Sequence, residues 1–332
     1  MRAIPAVLAF LALAAVPALA DDSTAELAIG GLAFVQTDDI TMQSEDLFVS
    51  MQAVRARYEF VNTSDHDVTT LVAFPLPDIK GEQDLMVAVP TEDPVNFVGF
   101  KTVVDGQPVE TKVQQRVTAL GIDRTALLQK LGIPLAPHLQ GTGEALDKLP
   151  QSEWDELIKF GMVGIDEYDD GNGMKKHLTP LWTLSTAFYW EQTFPAKKTV
   201  HIEHSYTPSV GSTAGISFGL PDDRKEPWFK DYQNKYCIDQ TFLAAVDRSK
   251  KPDGSDTLQE NRIDFVLKTG SNWESSIHNF HVVIDKGSPK NLVSFCGEAV
   301  KKISPTEFEM TKTDFEPDQD LAILILTPIP EQ

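Results

Sequence analysis

The sequence predicts a mainly β fold: antiparallel β-sandwich lobes carrying a small helical insertion. Three observations predict it. Short runs alternate apolar and polar residues, most clearly Val54, Ala56, Tyr58 and Phe60 against Arg55, Arg57 and Glu59, and strand side chains point alternately to opposite faces. Turn residues punctuate these runs at short intervals, as in sandwiches. Helical signals are confined mostly to residues 117–160, so strands do not alternate with helices as a parallel βαβ sheet requires.

Taken in order, Leu27 to Val35 reads as one short strand broken at Gly30-Gly31 by a bulge or turn. Ile40 and Met42 stand between acidic pairs, and Leu47 to Ser50 follows. Val54 to Phe60 is then the first arm of an expected hairpin, Asn62-Thr63-Ser64-Asp65 its turn, and Val68 to Phe74 its β-branched return. Pro75 and Pro77 donate no N–H and end that ladder. Phe97 to Val104, Asp105-Gly106 and the run after Pro108 form a second hairpin, because Asp-Gly accepts the positive φ of a type I′ turn. Pro108 puts the return strand at an edge.

Residues 116–179 change character. Asp123 can cap a helix to Leu131 that stops at Gly132, and Ser152 a helix Glu153–Phe160 that ends at Gly161. Asp166 to Gly173 reads as an acidic, glycine-rich loop. Trp182, Leu184, Phe188 and Trp190, then Val200, Ile202, His204 and Tyr206, alternate as strands. Asp239 can cap a short helix from Gln240 to Asp247. Strands are expected at 262–268, 278–284, 292–295, 307–310 and 321–326. The division expected is a segment 1–20, an N-terminal lobe 21–115, a helical bridge 116–179 and a C-terminal lobe 180–332.

Residues 1–20 read as a signal peptide. Arg2 gives a positive start, Val7 to Val16 an apolar core, and Ala18-Leu19-Ala20 a small-x-small site, with cleavage after Ala20. The apolar run is too short for a stable membrane anchor, so the expectation is an exported, periplasmic protein with no anchor after cleavage. The net charge of −20 becomes −21 once Arg2 is removed. Such a field repels nucleic acid and anionic lipid. Cys237 and Cys296 are the only cysteines, and in an oxidising compartment they are expected to form one disulfide, worth on the order of 4 kcal/mol in the chain-entropy model.

Two stretches carry a resemblance. ARYEFVNTSDHDVTTLVAFPLP from Ala56 and FVGFKTVVDGQPVETKVQQR from Phe97 resemble the vault/inter-alpha-trypsin type (VIT) domain, which implies an interaction sandwich. STAELAIGGLAF from Ser23, TTLVAFPLPDI from Thr69, HSYTPSVG from His204 and LVSFC from Leu292 resemble a bacterial exported family of unknown function, the 4424 family. That resemblance implies no activity. The metal-binding adhesion motif D-x-S-x-S of the animal VIT relatives has its nearest match at Asp253-Gly254-Ser255, which reads as a turn after Lys-Lys-Pro.

Candidate chemistry is sparse. His201 and His204, like His278 and His281, are three apart on strands and face opposite sides. Asp166, Glu167, Asp169 and Asp170 with Asn172 could offer oxygens to calcium, against the plainer reading of a solvated acidic loop; no other cofactor is expected. Gly211 to Gly215 lacks the Ser and the strand–helix context of a nucleophile elbow, and reads as a loop that could at most cradle a small anion. Asp38, Asp39, Glu45 and Asp46 read as a solvated sheet edge. The expected function is non-catalytic binding of an unidentified protein or envelope component. The alternative is a periplasmic hydrolase or carbohydrate-active enzyme using carboxylates in a cleft between the lobes.

Overall fold

A computed structural model describes residues 23–28, 31–34, 36–81, 86–169, 171, 173–268, 273 and 276–330. The segment 1–20 with its cleavage site, and Asp170 and Asn172 of the acidic stretch, lie outside the described residues. In chain order the strands are β1 (Ser23–Ala28), β2 (Gly31–Phe34), β3 (Ile40–Ser50), β4 (Val54–Asn62), β5 (Val68–Pro75), β6 (Ile79–Lys80), β7 (Met86–Ala88), β8 (Lys101–Val104), β9 (Gln107–Val109), β10 (Lys112–Ala119) and β11 (Ile122–Asp123). Helices α1 (Thr125–Leu131), α2 (Gln140–Asp147) and α3 (Gln151–Lys159) follow, then β12 (Val163–Asp169), β13 (Met174–Pro180), β14 (Thr183–Phe194), β15 (Thr199–Tyr206) and β16 (Val210–Ser212). The last third holds α4 (Pro227–Tyr236), α5 (Gln240–Ser249), β17 (Leu258–Phe265), β18 (Ile277–Asp285), β19 (Leu292–Phe295), β20 (Lys301–Lys302), β21 (Glu307–Phe315) and β22 (Leu321–Pro328).

The fold is mainly β, as the alternation predicts. An eight-stranded sheet runs β20-β21-β18-β3-β4-β15-β8-β9. A seven-stranded sheet runs β11-β10-β14-β5-β1-β2, with β6 added on β14. A five-stranded sheet runs β19-β22-β17-β16-β7, and β12-β13 is a separate hairpin. Among the described pairs one is parallel, β3 with β18.

The expected hairpin at 54–74 is not formed. β4 pairs with β3 and β15 in the eight-stranded sheet, whereas β5 pairs with β14 and β1 in the seven-stranded sheet. The turn after Asn62 is therefore a crossing between sheets, and 195–198, from β14 to β15, is a second one beside it. Asn62 fastens both: fully buried, its side-chain amide donates to the carbonyls of His66 and Phe194, each at 2.8 Å. The alternation itself is as read, with Val54, Ala56, Tyr58 and Phe60 all buried. Their partners lie across the core, as in the edge-to-face contact of Phe60 with Phe194 at 6.0 Å. Phe100 similarly stacks on Phe188 at 4.3 Å. Facing sheets bury more apolar surface than a hairpin that covers one face, and burial drives the arrangement.

Strands from before residue 115 and after residue 180 interleave in the larger sheets, through β4–β15, β5–β14 and β3–β18. The division expected at 115 and 180 does not coincide with a division between sheets, and one apolar core runs from Ile40 to Ile325. A second, smaller cluster lies on the other side of the five-stranded sheet. There Ala322, Leu324 and Leu326 of β22 meet Phe229 and Tyr236 of α4 and Phe242, Leu243 and Val246 of α5. β22 is thus covered on both faces, which is why its sequence is a continuous apolar run rather than an alternating one.

Local rules hold at several ends. Asp105 and Gly106 have φ of 47° and 78°, and β9 with Pro108 is an edge strand. Gly132 caps α1 in the left-handed region at φ 69°, and Asp239 accepts from the Phe242 amide at 2.6 Å to start α5. The acidic stretch 166–169 is not a loop but the first arm of the β12–β13 hairpin, and α3 starts at Gln151 with no side-chain cap. Cys237 and Cys296 form the disulfide, with Cα atoms 5.0 Å apart and a sequence separation of 59. It ties the end of α4 to the end of β19. Among the described residues no helix is long and apolar enough to cross a membrane.

Candidate functional site

β17 supplies the floor of the site. Ile263 and Phe265 point into the sandwich core. Glu260, Arg262 and Asp264 alternate onto the other face, toward α4. Two of these three charges are engaged. Glu260, fully buried, accepts from the Ser217 amide and hydroxyl at 2.6 and 2.7 Å and from the Tyr232 phenol at 2.6 Å. Asp264 pairs with Lys235 from the last turn of α4 at 3.1 Å. Arg262 lies between them, half-buried, and no hydrogen bond or ion pair joins its guanidinium to another described residue. A guanidinium carries five donors in a fixed fork, and leaving them unmet under partial burial is unfavourable.

Arg262 opens into a cleft of about 240 Å³. Residues 77–80, the Pro-Asp-Ile-Lys that follows β5, form one wall; Lys235 and Tyr236 form another; Ser209 and Gly211 close an end. A Cβ on Gly211 would make ordinary contact with Arg262, 3.6 Å from its Nε, so a branched side chain there would crowd the guanidinium. Asp78 has its pKa raised, chiefly by desolvation of its carboxyl, with a hydrogen bond from Ser185 and the charge of Lys80 pulling the other way. Asp78 is exposed as a residue and lines the cleft. Desolvation also holds the Tyr236 phenol well above its usual range. The disulfide follows Tyr236 directly, so it fixes the wall that carries Lys235 and Tyr236.

A larger and shallower hollow of about 470 Å³ lies over β3, β18 and β21. Its charges are mutually paired. His281 meets Asp46 at 2.8 Å and Glu309 at 3.6 Å, Asp46 meets Arg57 at 3.8 Å, and Arg57 meets Glu203 at 3.4 Å. This ladder follows the strand register, since His281, Asp46, Arg57 and Glu203 are successive cross-strand partners. Exposed pairs of this kind contribute little each, and the four charges of the ladder already have partners. The smaller cleft is therefore the stronger candidate.

The chain belongs to a family described as a domain of unknown function, DUF4424. The family model matches residues 20–324. No curated protein matches the chain. Among solved structures, a Legionella pneumophila protein provisionally described as nutrient-binding is similar, with 15% identity, 93% of this chain and 70% of that chain covered, and a TM-score of 0.44.

The other sequence candidates fall apart in space. Asp166, Glu167 and Asp169 lie exposed along β12; Glu167 pairs with Lys176 at 2.8 Å and Asp166 with His177 at 3.3 Å, while Asp169 accepts from the Gly171 amide at 2.9 Å. Among the described residues no group of three or more His, Cys, Asp or Glu is placed to hold a metal. His201 pairs with Glu59 at 3.8 Å on the outer face. His204 is buried, with Nδ1 3.1 Å from the Thr102 hydroxyl. Asp253 accepts from the Ser255 amide and hydroxyl in a turn. Gly211 and Ser212 belong to strand β16 rather than a loop. Glu45 is not on a solvated edge: it is 1% exposed, opposite Tyr58 and Phe280. A register shift between Met42 and Ser44 places it there, since a bulge re-aims the residues beyond it. Arg262 was not a sequence candidate. Its one signal was the charged triplet Glu260, Arg262 and Asp264 at strand spacing beside an apolar face.

Proposed function

We propose that this member of the family is an exported, periplasmic, non-catalytic binding protein, and that the Arg262 cleft receives an acidic group of its ligand or partner. One observation carries the reading: among the described residues the half-buried Arg262 guanidinium has no hydrogen-bonded partner, while the acids beside it on β17, Glu260 and Asp264, are already engaged. The fork of an arginine matches a carboxylate or phosphate in two parallel bonds. Export is supported by the N-terminal pattern of residues 1–20 and by the disulfide. The VIT-like reading of the N-terminal strands agrees with a role in binding.

Native mass spectrometry of the mature chain recovered from the periplasm tests this. Wild type is expected to carry a bound acidic species or partner that Arg262→Ala lacks. Identical spectra for the two would overturn it.

The hydrolase reading is favoured by one observation, that Asp78 and Asp264 line the same cleft and Asp78 has a raised pKa. Against it, Asp264 is already paired with Lys235 at 3.1 Å. Turnover of glycoside or ester substrates that Asp78→Asn abolishes would establish it in place of the binding reading.

A further inference from the structure

The cleft is dipolar, and that narrows what it can take. Three cations and two carboxylates line it: Lys80, Lys235 and Arg262 against Asp78 and Asp264. The Lys235–Asp264 pair cancels. Lys80 is exposed, so water screens its charge on Asp78. What remains is a positive fork on the floor, Arg262, and the Asp78 carboxyl in the segment 77–80 that lines the same cleft, with a hydrogen bond from Ser185. A dianion such as phosphate would satisfy Arg262 but face the Asp78 carboxylate at close quarters, and like charges in a partly desolvated space repel strongly. A simple carboxylate would leave the desolvated Asp78 carboxyl with no charge opposite it beyond that of the exposed Lys80.

A ligand that carries both signs meets both groups. We infer that the cleft binds a small zwitterion of the α-amino-acid class, its carboxylate on the Arg262 guanidinium and its ammonium on the Asp78 carboxyl; this rests on the reading that the cleft receives an acidic group at Arg262. Size agrees. At about 240 Å³ the cleft falls below the usual range for drug-sized ligands, roughly 300–1,000 Å³. The raised pKa of Asp78 fits as well, because it marks a carboxylate short of compensation. The whole protein is strongly acidic, so a neutral zwitterion also reaches the cleft without the long-range repulsion that an anion meets.

The test is calorimetric titration of the full mature chain with free L-amino acids one at a time, with acetate, inorganic phosphate and ethylamine as single-charge probes. At least one amino acid is expected to bind at least tenfold more tightly than any of these probes. Asp78→Asn is expected to weaken that amino acid at least tenfold while leaving acetate unchanged. Arg262→Lys is expected to abolish both. Gly211→Val, which crowds the guanidinium without altering any charge, is expected to abolish binding with the unfolding midpoint retained, which separates a blocked cleft from a misfolded variant. Acetate or phosphate binding as tightly as every amino acid, lost in Arg262→Lys and unweakened in Asp78→Asn, would overturn the zwitterion and leave the acid-receiving cleft standing. Amino-acid binding that survives Arg262→Lys and Gly211→Val would overturn both.

Discussion

At the scale of residues, the fold depends on a few polar groups that are buried and satisfied. Asn62 is the clearest. Its amide joins two sheet crossings, and its Oδ1 accepts from the Ser64 amide and hydroxyl at 2.9 and 2.7 Å. Asn62→Ala leaves the Phe194 carbonyl without its buried side-chain donor, worth about 1–3 kcal/mol, and removes the oxygen that holds Ser64 in the turn. We expect a loss of about 2–4 kcal/mol in urea unfolding, and a change under 1 kcal/mol would refute this role. His138 is the opposite case. Both ring nitrogens are shielded with no hydrogen-bond partner among the described residues, the ring packs edge-on to Phe97 at 5.1 Å, and burial lowers its pKa to about 4. The unfolded chain takes up this proton near the ordinary value of 6.5, and the folded chain does so only near 4. The contribution is therefore fully present above pH 6.5 and lost as pH falls from 6.5 toward 4. His138→Phe is expected to flatten the stability–pH curve in that window by about one proton's slope; an unchanged slope would contradict the assignment. The sequence showed that Asn62 sat in a turn. It did not show what the amide held, because Phe194 is 132 residues away.

At the scale of elements, α4 decides whether the cleft exists. It covers the outer face of β17, brings Lys235 to Asp264, and is pinned through Cys237 to the end of β19. Reduction of the disulfide is expected to lower stability by on the order of 4 kcal/mol or less. It should also weaken whatever binds at Arg262, because one wall of the cleft loses its tether. Calorimetry on the oxidised protein and on a Cys237→Ser, Cys296→Ser double variant reads both effects, and equal affinity in the two would remove the disulfide from the site. Removing the α5 cap with Asp239→Ala should cost about 1 kcal/mol. The cap of α5 was legible because Asp239 precedes a helical run. α4 was missed: Phe229, Tyr232 and Tyr236 recur at i, i+3 and i+7, but no capping side chain precedes Pro227 to announce the helix. Without α4, Glu260, Arg262 and Asp264 looked like a solvent face.

At the scale of the whole molecule, the alternation of strands was legible and their partners were not. Period-2 patterning reports which face a residue occupies, but not which sheet its strand joins. Tyr58 and Phe60 are buried as read, while β4 and β5 stand in different sheets. The register shift in β3 hid Glu45 for the same reason: one extra residue inverts the pattern beyond it. Because strands from both ends of the chain share sheets, residues 21–115 alone should not fold. β3, β4 and β5 would lose β18, β15 and β14 together. That fragment is expected to show no cooperative unfolding transition, and a sharp one would contradict the single-core description.

On this account Arg262 receives an acidic group from outside the chain. A crystal structure of the mature protein grown with the tightest-binding amino acid tests it most directly. The expected result is a carboxylate held by two parallel hydrogen bonds from the Arg262 guanidinium, at about 2.7–2.9 Å. Arg262 folded back onto Asp78 or Asp264, with the cleft empty, would contradict it.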